Sequence, residues 1–324
     1  MPSDSETLIH VGQTLRCSVV IPTFNRRLLL RQSLLSLAHQ DIGRDSFEVL
    51  VVDDGSSDGT EEEVRSFRGK LNIRYFYLPD EGYRVARARN VGIRNAEAPV
   101  CVFVDSGVVL RSDALGVHLA RHDRAPGAVA IVAYVYGFNE NNEDAAEIES
   151  AIRLDAIDAT IDDFEARRRF LDFREVFYAK HGDEIGDLRA PWVVFWTCHV
   201  SAPTASLKAA GLFDEAFQCW GGEDVELAYR LHLGGVRFEL SRRARSIHLP
   251  HPKNAAVNSE LAARNYPYFA AKHEGIGSLI VDYHLFDIND AIRRRDLETR
   301  GSPADRGPVQ SGASGASFAF DGRD

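Results

Sequence analysis

The sequence predicts an α/β protein with a mostly parallel central sheet and helices on both faces. Two observations carry this. From Cys17 onward, short apolar runs alternate with helical stretches, and helices of about 10 to 15 residues between strands imply parallel pairing. Several apolar runs also end on carboxylates, at the strand ends where such sheets hold ligands.

The elements follow in order. SVVIP (18–22) reads as a strand, and RRLLLRQSLLSLAHQ (26–40) has helical periodicity. FEVLVVDD (47–54) is a buried strand, and DGTEEEVRSF (58–67) opens a helix with an acidic first turn. IRYFYL (73–78) is a strand, GYRVARARNVGIRNA (82–96) a helix, and VCVFVD (100–105) a strand that runs into Asp105, Ser106 and Gly107. Past about residue 125 the alternation changes. AVAIVAYVYGF (128–138) is apolar and β-rich, and residues 143–180 are charged and helical. WVVFW (192–196), a short helix near SLKAAG, the stretch 213–235 and VRFEL (236–240) follow. Residues 1–15 read as a loose arm, 256–300 as a helical extension, and 301–324, rich in Gly, Ser, Ala and Pro, as a disordered tail.

Bulk composition narrows the function classes. The apolar share of 44% with 27% charged residues is that of a globular chain able to bury a full core. A formal charge of −10 argues against nucleic-acid binding by broad phosphate neutralisation, yet Arg84, Arg87 and Arg89 can reverse the sign locally. Cys17, Cys101, Cys198 and Cys219 are far apart without CxxC spacing, so buried thiols in a reducing compartment are expected. No window approaches eighteen apolar residues, and the start MPSDSETLIH lacks a signal-peptide pattern. A cytoplasmic protein without a membrane span is the expectation. Arginine outnumbers lysine and alanine is abundant, which points to a high-GC bacterial source.

Four strand ends carry candidate chemistry. IPTFNR has no GxGxxG, so the pyrophosphate turn of nicotinamide and methyltransferase sheets is missing. In VVDDGSSDGT, Asp53 and Asp54 either accept hydrogen bonds from a base or ribose or cap the next helix. On GYRVARARNVG the three arginines diverge around the helix, so one can reach a nucleotide while others face solvent. VFVDSG places Asp105 at a strand exit. Further on, WGGED puts an acid pair, Glu223 and Asp224, at a helix start behind Trp220, Gly221 and Gly222. The pair either serves catalysis or compensates the helix dipole. A positioned carboxylate can deprotonate an incoming hydroxyl, glycines permit close backbone approach, and Trp220 offers an apolar sugar-stacking face.

Together CSVVIPTFNR, VVDDGSSDGT, ARARNVGIRNA and VFVDSG resemble family 2 glycosyltransferases, inverting enzymes of the GT-A fold. LFDEAFQCWGGEDVELAYRLHLGGVRFE followed by SIHLPHPKN looks like the second half of bacterial chondroitin polymerases, polypeptide N-acetylgalactosaminyltransferases and β-1,4-galactosyltransferases. The resemblance covers about residues 16–255. It implies a nucleotide-sugar-binding half over 16–125, Rossmann-like in build, and an acceptor-binding and catalytic half over 126–255. The uracil-ribose end of a UDP-sugar would lie against Pro22, Thr23, Asn25, Asp53, Asp54 and Arg84. Asp105 would open the DxD motif, holding ribose or a divalent cation, Mn²⁺ or Mg²⁺. His248 would be the late metal ligand, with His251 close behind. Asp224 would be the general base toward a glycan or small-molecule hydroxyl, with Glu223 and Trp220 lining the pocket.

The chain departs from this pattern twice. Gly107 stands where DxD carries its second acid, leaving three readings open: weak metal binding through Asp105 and His248, metal-free catalysis with arginine in place of the ion, or lost activity. The last would make the chain a non-catalytic nucleotide-sugar-binding or partner protein. WTCHVSA (196–202) replaces a Gly-Gly-Asn stretch near the donor sugar, so Trp196 and His199 are candidate sugar contacts. The 143–180 segment is either a lid or acceptor groove, or a packed amphipathic cover.

Overall fold

The computed structural model describes residues 14–139 and 142–300. The arm expected over 1–15, save its last two residues, and the tail expected over 301–324 lie outside them.

The first half alternates as expected: β1 (Cys17–Thr23), α1 (Arg27–Ala38), β2 (Phe47–Asp53), α2 (Thr60–Arg65), β3 (Ile73–Tyr77), α3 (Val85–Asn95) and β4 (Val100–Val104). β2 is buried along its whole length, the pattern of a strand covered on both faces. Helix α1 turns Leu30, Leu34 and Leu37 inward, the spacing of one helical face. β5 (Val108–Leu110), α4 (Ala114–Arg124) and β6 (Val129–Tyr136) follow, then three short helices, α5 (Ala145–Ala151), α6 (Ile157–Arg167) and α7 (Glu175–His181). The remainder is β7 (His199–Pro203), α8 (Thr204–Ala209), α9 (Glu223–Leu233), β8 (Arg237–His248), α10 (Ala255–Lys272), α11 (Gly277–Asp282) and α12 (Ile288–Arg300).

All eight strands form one sheet, ordered β3-β2-β1-β4-β7-β6-β8-β5. The first four pair in parallel, and β6 pairs β8 in parallel. β7 is antiparallel to both its neighbours, and β5 is antiparallel to β8. The carboxyl ends of β1, β2, β4, β6 and β8 therefore share one edge. The strand expected over 236–240 continues to His248 through an irregularity opposite Ala133 and Tyr134. This brings His248 beside Val108, next to the Asp105 turn.

A buried ion pair fixes the segment before β7. Asp172 and Arg174 are both inaccessible and bridge at 2.7 Å. Arg174 also donates to the carbonyls of Ala133 and Val194, and Asp172 accepts from the Val135 N–H. Every polar group so engaged offsets part of its desolvation.

His199 does not line the cleft, contrary to the sequence expectation. It is fully buried beneath α4, with Nε2 at 3.2 Å from His118 Nε2 and Nδ1 at 2.9 Å from Ser246 Oγ. Residues of a strand alternate between faces, and position 199 points to the helix-covered one. Ser201 joins the cluster by hydrogen bonds to His118 and His122. Burial depresses all three imidazoles, His118 well below its ordinary value, His199 to about 3 and His122 to about 4.

The unfolded histidines bind protons below about pH 6.5, whereas the folded ones do so only at much lower pH. Their contribution to stability is complete above the unfolded value and is lost as pH falls toward the folded ones. Thermal melts should show Tm falling from pH 7 to pH 5, with a shallower slope in His118→Gln. Parallel Tm–pH curves for the two proteins would refute the assignment.

Candidate active site

The site is built where β1, β2 and β4 end. After β1 the chain turns at Asn25, which adopts a left-handed φ of 49°. Its backbone N–H donates to Ser56 Oγ and its side-chain oxygen accepts from Ser57 N–H. Asn25 thus ties the β1 loop to the β2 loop.

The two aspartates at the end of β2 do different things. Asp53 is fully buried, and both its oxygens are used: Oδ1 accepts from Gly55 and Ser56 N–H, Oδ2 from the Tyr75 hydroxyl. Asp54 accepts from the Arg84 N–H through Oδ2, capping α3 rather than the helix next in sequence. Its Oδ1 is buried without a partner. Burial raises the Asp54 carboxyl to about 6. Asp54, with a free acceptor, is the one equipped to meet a ligand. Thr23 Oγ1 beside it is likewise buried and unpartnered. The Arg84 side chain turns back to Glu81.

Arg89 links the two halves of the site. It shares the inward stripe of α3 with Ala86, Asn90 and Ile93, positions one turn apart. From there it donates to Asp105 Oδ1 at 3.1 Å and to Glu223 Oε1 at 2.9 Å, and lies over the Phe213 ring. Burial alone would lower its pKa, but the two carboxylates more than reverse that. Asn90 anchors the same helix to Phe213 through a reciprocal pair of bonds with its backbone.

Asp224 follows Glu223 at the start of α9. Its Oδ2 accepts from Thr197 N–H at 3.2 Å and its Oδ1 from Val225 N–H at 2.8 Å. Burial, and then the Glu223 charge, push its carboxyl well above the ordinary range, against the pull of Arg89. Glu223 keeps one buried oxygen, Oε2, without a partner. The Trp220 side chain is exposed.

The Asp105 turn is set into the fold. Ser106 Oγ donates to the Pro22 carbonyl, Gly107 N–H to Ser33 Oγ, and Leu249 N–H to the Gly107 carbonyl. Gly107 has φ +99° and Leu29 lies 3.4 Å from where a Cβ would stand. An acid at this position would be strained, so the missing second carboxylate follows from the turn's backbone.

Across the turn stands a group of cations and imidazoles. His248 is buried against Phe138 and His251, and its Nδ1 has no partner. Burial, then Lys253 and His251, hold its pKa well below the ordinary value, and burial followed by Arg26 lowers His251 to about 4. Lys253 Nζ donates to the Asn139 carbonyl, and burial brings its ammonium down to about 8. Asp105 Oδ2 and His248 Nδ1 are uncommitted donor atoms suited to a divalent ion. Among the described residues no three His, Cys, Asp or Glu side chains group as a metal site.

Trp196 meets edge-on the ring of Phe138, which in turn lies against His248. Its ring stacks on Phe286 and Phe173, and its indole N–H donates to the Val193 carbonyl. The sequence singled out Arg84 for the nucleotide, but its side chain turns back to Glu81, and Arg89 is the arginine of α3 that reaches Asp105 and Glu223. The sequence reading also missed Arg26, Lys253 and Thr197. The signal for Arg89 was present: it is the cation on the apolar stripe of its helix.

The architecture is that of the GT-A fold. The pattern of Glycosyl transferase family 2 matches residues 18–186, and the chain belongs to that family. It is 37% identical over 259 residues to validoxylamine A glucosyltransferase of Streptomyces hygroscopicus subsp. jinggangensis (strain 5008), a match covering 80% of this chain and 61% of the relative. The chain thus spans about three fifths of that relative's length. It is 30% identical over 292 residues to the uncharacterized glycosyltransferase YfnE of Bacillus subtilis (strain 168), covering 84% and 73%. The structure of S. aureus TarS 1-349 in complex with UDP-GlcNAc superposes with a TM-score of 0.60 at 19% identity, covering 89% and 77%. Among the described residues no helix is long and apolar enough to cross a membrane.

Arg89→Ala would leave Glu223 buried with neither carboxylate oxygen paired. Urea denaturation should show a loss of about 3 kcal/mol, with Arg89→Lys intermediate. Unchanged stability in both would show that the bridge is not formed.

Proposed function

We propose that the chain transfers a hexose or N-acetylhexosamine from UDP to an acceptor hydroxyl, with inversion at the anomeric carbon and Asp224 as general base. The supporting observation is the Arg89 bridge, which sets Asp224 beside the strand end that carries Asp105. The TarS complex with UDP-GlcNAc favours a UDP carrier. The relative named for glucosylating validoxylamine A favours a hexose and a small-molecule acceptor over a glycan.

In this reading the nucleoside lies against Thr23, Asn25 and Asp54, with Pro22 and Asp53 shaping the loops beneath it. Asp105 takes a ribose hydroxyl or the ion. The acceptor oxygen attacks the anomeric carbon, the bond from that carbon to the β-phosphate oxygen breaks, and UDP leaves with the electron pair. Asp224 receives the hydroxyl proton; its raised pKa makes it a stronger base than an ordinary carboxylate. Arg26 and Lys253 stabilise the departing diphosphate. Bringing a dianion to Lys253 also restores the ammonium that burial disfavours. Mn²⁺ or Mg²⁺ would be held by Asp105 and His248 and would add positive charge at the diphosphate. Trp220 offers its exposed face to a sugar ring, and Glu223 holds Arg89 in place.

The absence of a second carboxylate at Gly107 favours a second reading, a nucleotide-sugar-binding protein without turnover. A UDP-release assay over a UDP-sugar panel, with and without Mn²⁺, separates the two. Asp224→Asn should lower kcat by roughly 10²–10⁴-fold with UDP affinity unchanged. Asp54→Asn should weaken UDP binding by about tenfold. Wild-type kcat/KM should decline as pH falls through the raised pKa of Asp224. Full turnover by Asp224→Asn would eliminate the proposed base.

A further inference from the structure

Helix α10 lies across the turn that carries Trp220 and leads into Asp224. On it, Asn265 is 7% exposed. Its amide nitrogen lies 2.7 Å from the Gly221 carbonyl, 3.1 Å from the Cys219 carbonyl and 3.5 Å from the Trp220 carbonyl. Its amide oxygen accepts from Cys219 Sγ at 3.2 Å. An amide NH₂ has two protons to give, so the Gly221 and Cys219 bonds are the strong ones and the Trp220 contact is shared.

The same face of α10 grips the turn at both ends. Gly221 has φ +95°, and a Cβ there would come within 2.9 Å of Ala262 Cβ. Farther along, Tyr268 and Lys272 hold Asp214, and Lys272 and His273 hold Glu226, which is fully buried on α9. Ala262, Asn265, Tyr268 and Lys272 recur at three- and four-residue intervals, the spacing of one helical stripe.

A turn with two successive left-handed glycines has an unusually large set of accessible backbone conformations. Its carbonyls cannot all pair within the turn, so something outside must fix them. We infer that Asn265 is a positioning residue for the active site, fixing consecutive carbonyls of the 219–221 turn so that Trp220 and Asp224 hold their places. The inference rests on the reading of Asp224 as base, because only then does misplacement of the turn appear in turnover. A misplacement of about 1 Å can cost roughly 100-fold in rate.

Asn265→Asp is nearly isosteric, loses both N–H donors and faces a negative charge toward the carbonyls. Asn265→Ala removes the clamp. For both, kcat for UDP release should fall by at least about tenfold while the Kd for UDP stays within about twofold, since the nucleotide loops are untouched. Asn265→Gln, which keeps the amide one methylene farther out, should recover part of the loss. Acrylamide quenching of Trp220, taken as the difference from the same protein carrying Trp220→Phe, should increase in Asn265→Asp. That readout does not depend on Asp224 being the base: a turnover-silent protein with looser Trp220 would uphold the clamp and sink the catalytic reading. If Asn265→Ala does not fold, Asn265→Asp and Asn265→Gln decide. Unchanged kcat and unchanged quenching in the folded variants would overturn the inference, as would a kcat loss matched by an equal loss of folded protein.

Discussion

The guanidinium of Arg89 holds two carboxylates that sequence separates widely, Asp105 at the end of β4 and Glu223 at the start of α9. A buried ion pair gains little over apolar packing of the same volume, so its consequence here is geometric. The bridge acts together with the packing of Phe213, Phe217 and Val225 in the core to set the α9 turn at the carboxyl edge of the parallel strands. In the proposed reading it brings the base and the nucleotide loop into one cleft. Glu223, next to Asp224, contributes twice: it completes the bridge, and its charge helps to raise the neighbouring carboxyl.

The cleft also sorts charge against the chain's overall sign. A protein of formal charge −10 gathers Arg26, Lys253, His248 and His251 on one side of the Asp105 turn. Their mutual influence, added to burial, lowers both imidazoles and the Lys253 ammonium. Such a group is costly to keep without an anion and becomes favourable with one. Asp105, Glu223 and Asp224 gather around Arg89. The separation suits a reaction that delivers negative charge to one side and a proton to the other.

Much of this was legible in the sequence. Uninterrupted apolar runs gave the strands, because burial on both faces leaves no polar alternation to confuse. The acid pair behind Trp-Gly-Gly was visible as the start of α9, the turn proposed to carry the base. Other features were hidden for physical reasons. β7 is five residues long and begins with a histidine, so neither length nor apolarity announced it. His199 looked like a cleft residue from its neighbours, yet the alternation of a strand sent it beneath α4. Asp53 and Asp54 were equivalent as letters, and only the Tyr75 hydroxyl and the Arg84 N–H separate their duties. The partner of Arg89 on α9 is 134 residues away, a distance no local pattern spans.

A crystal structure with UDP and Mn²⁺ tests the shared cleft most directly. Uracil and ribose should lie against Thr23 and Asp54, and the diphosphate between Asp105 and the side formed by Arg26 and Lys253, with the Asp224 carboxylate facing the β-phosphate across the cleft. Nucleotide bound elsewhere on the molecule, or an Asp224 side chain turned away from a correctly bound diphosphate, would contradict it.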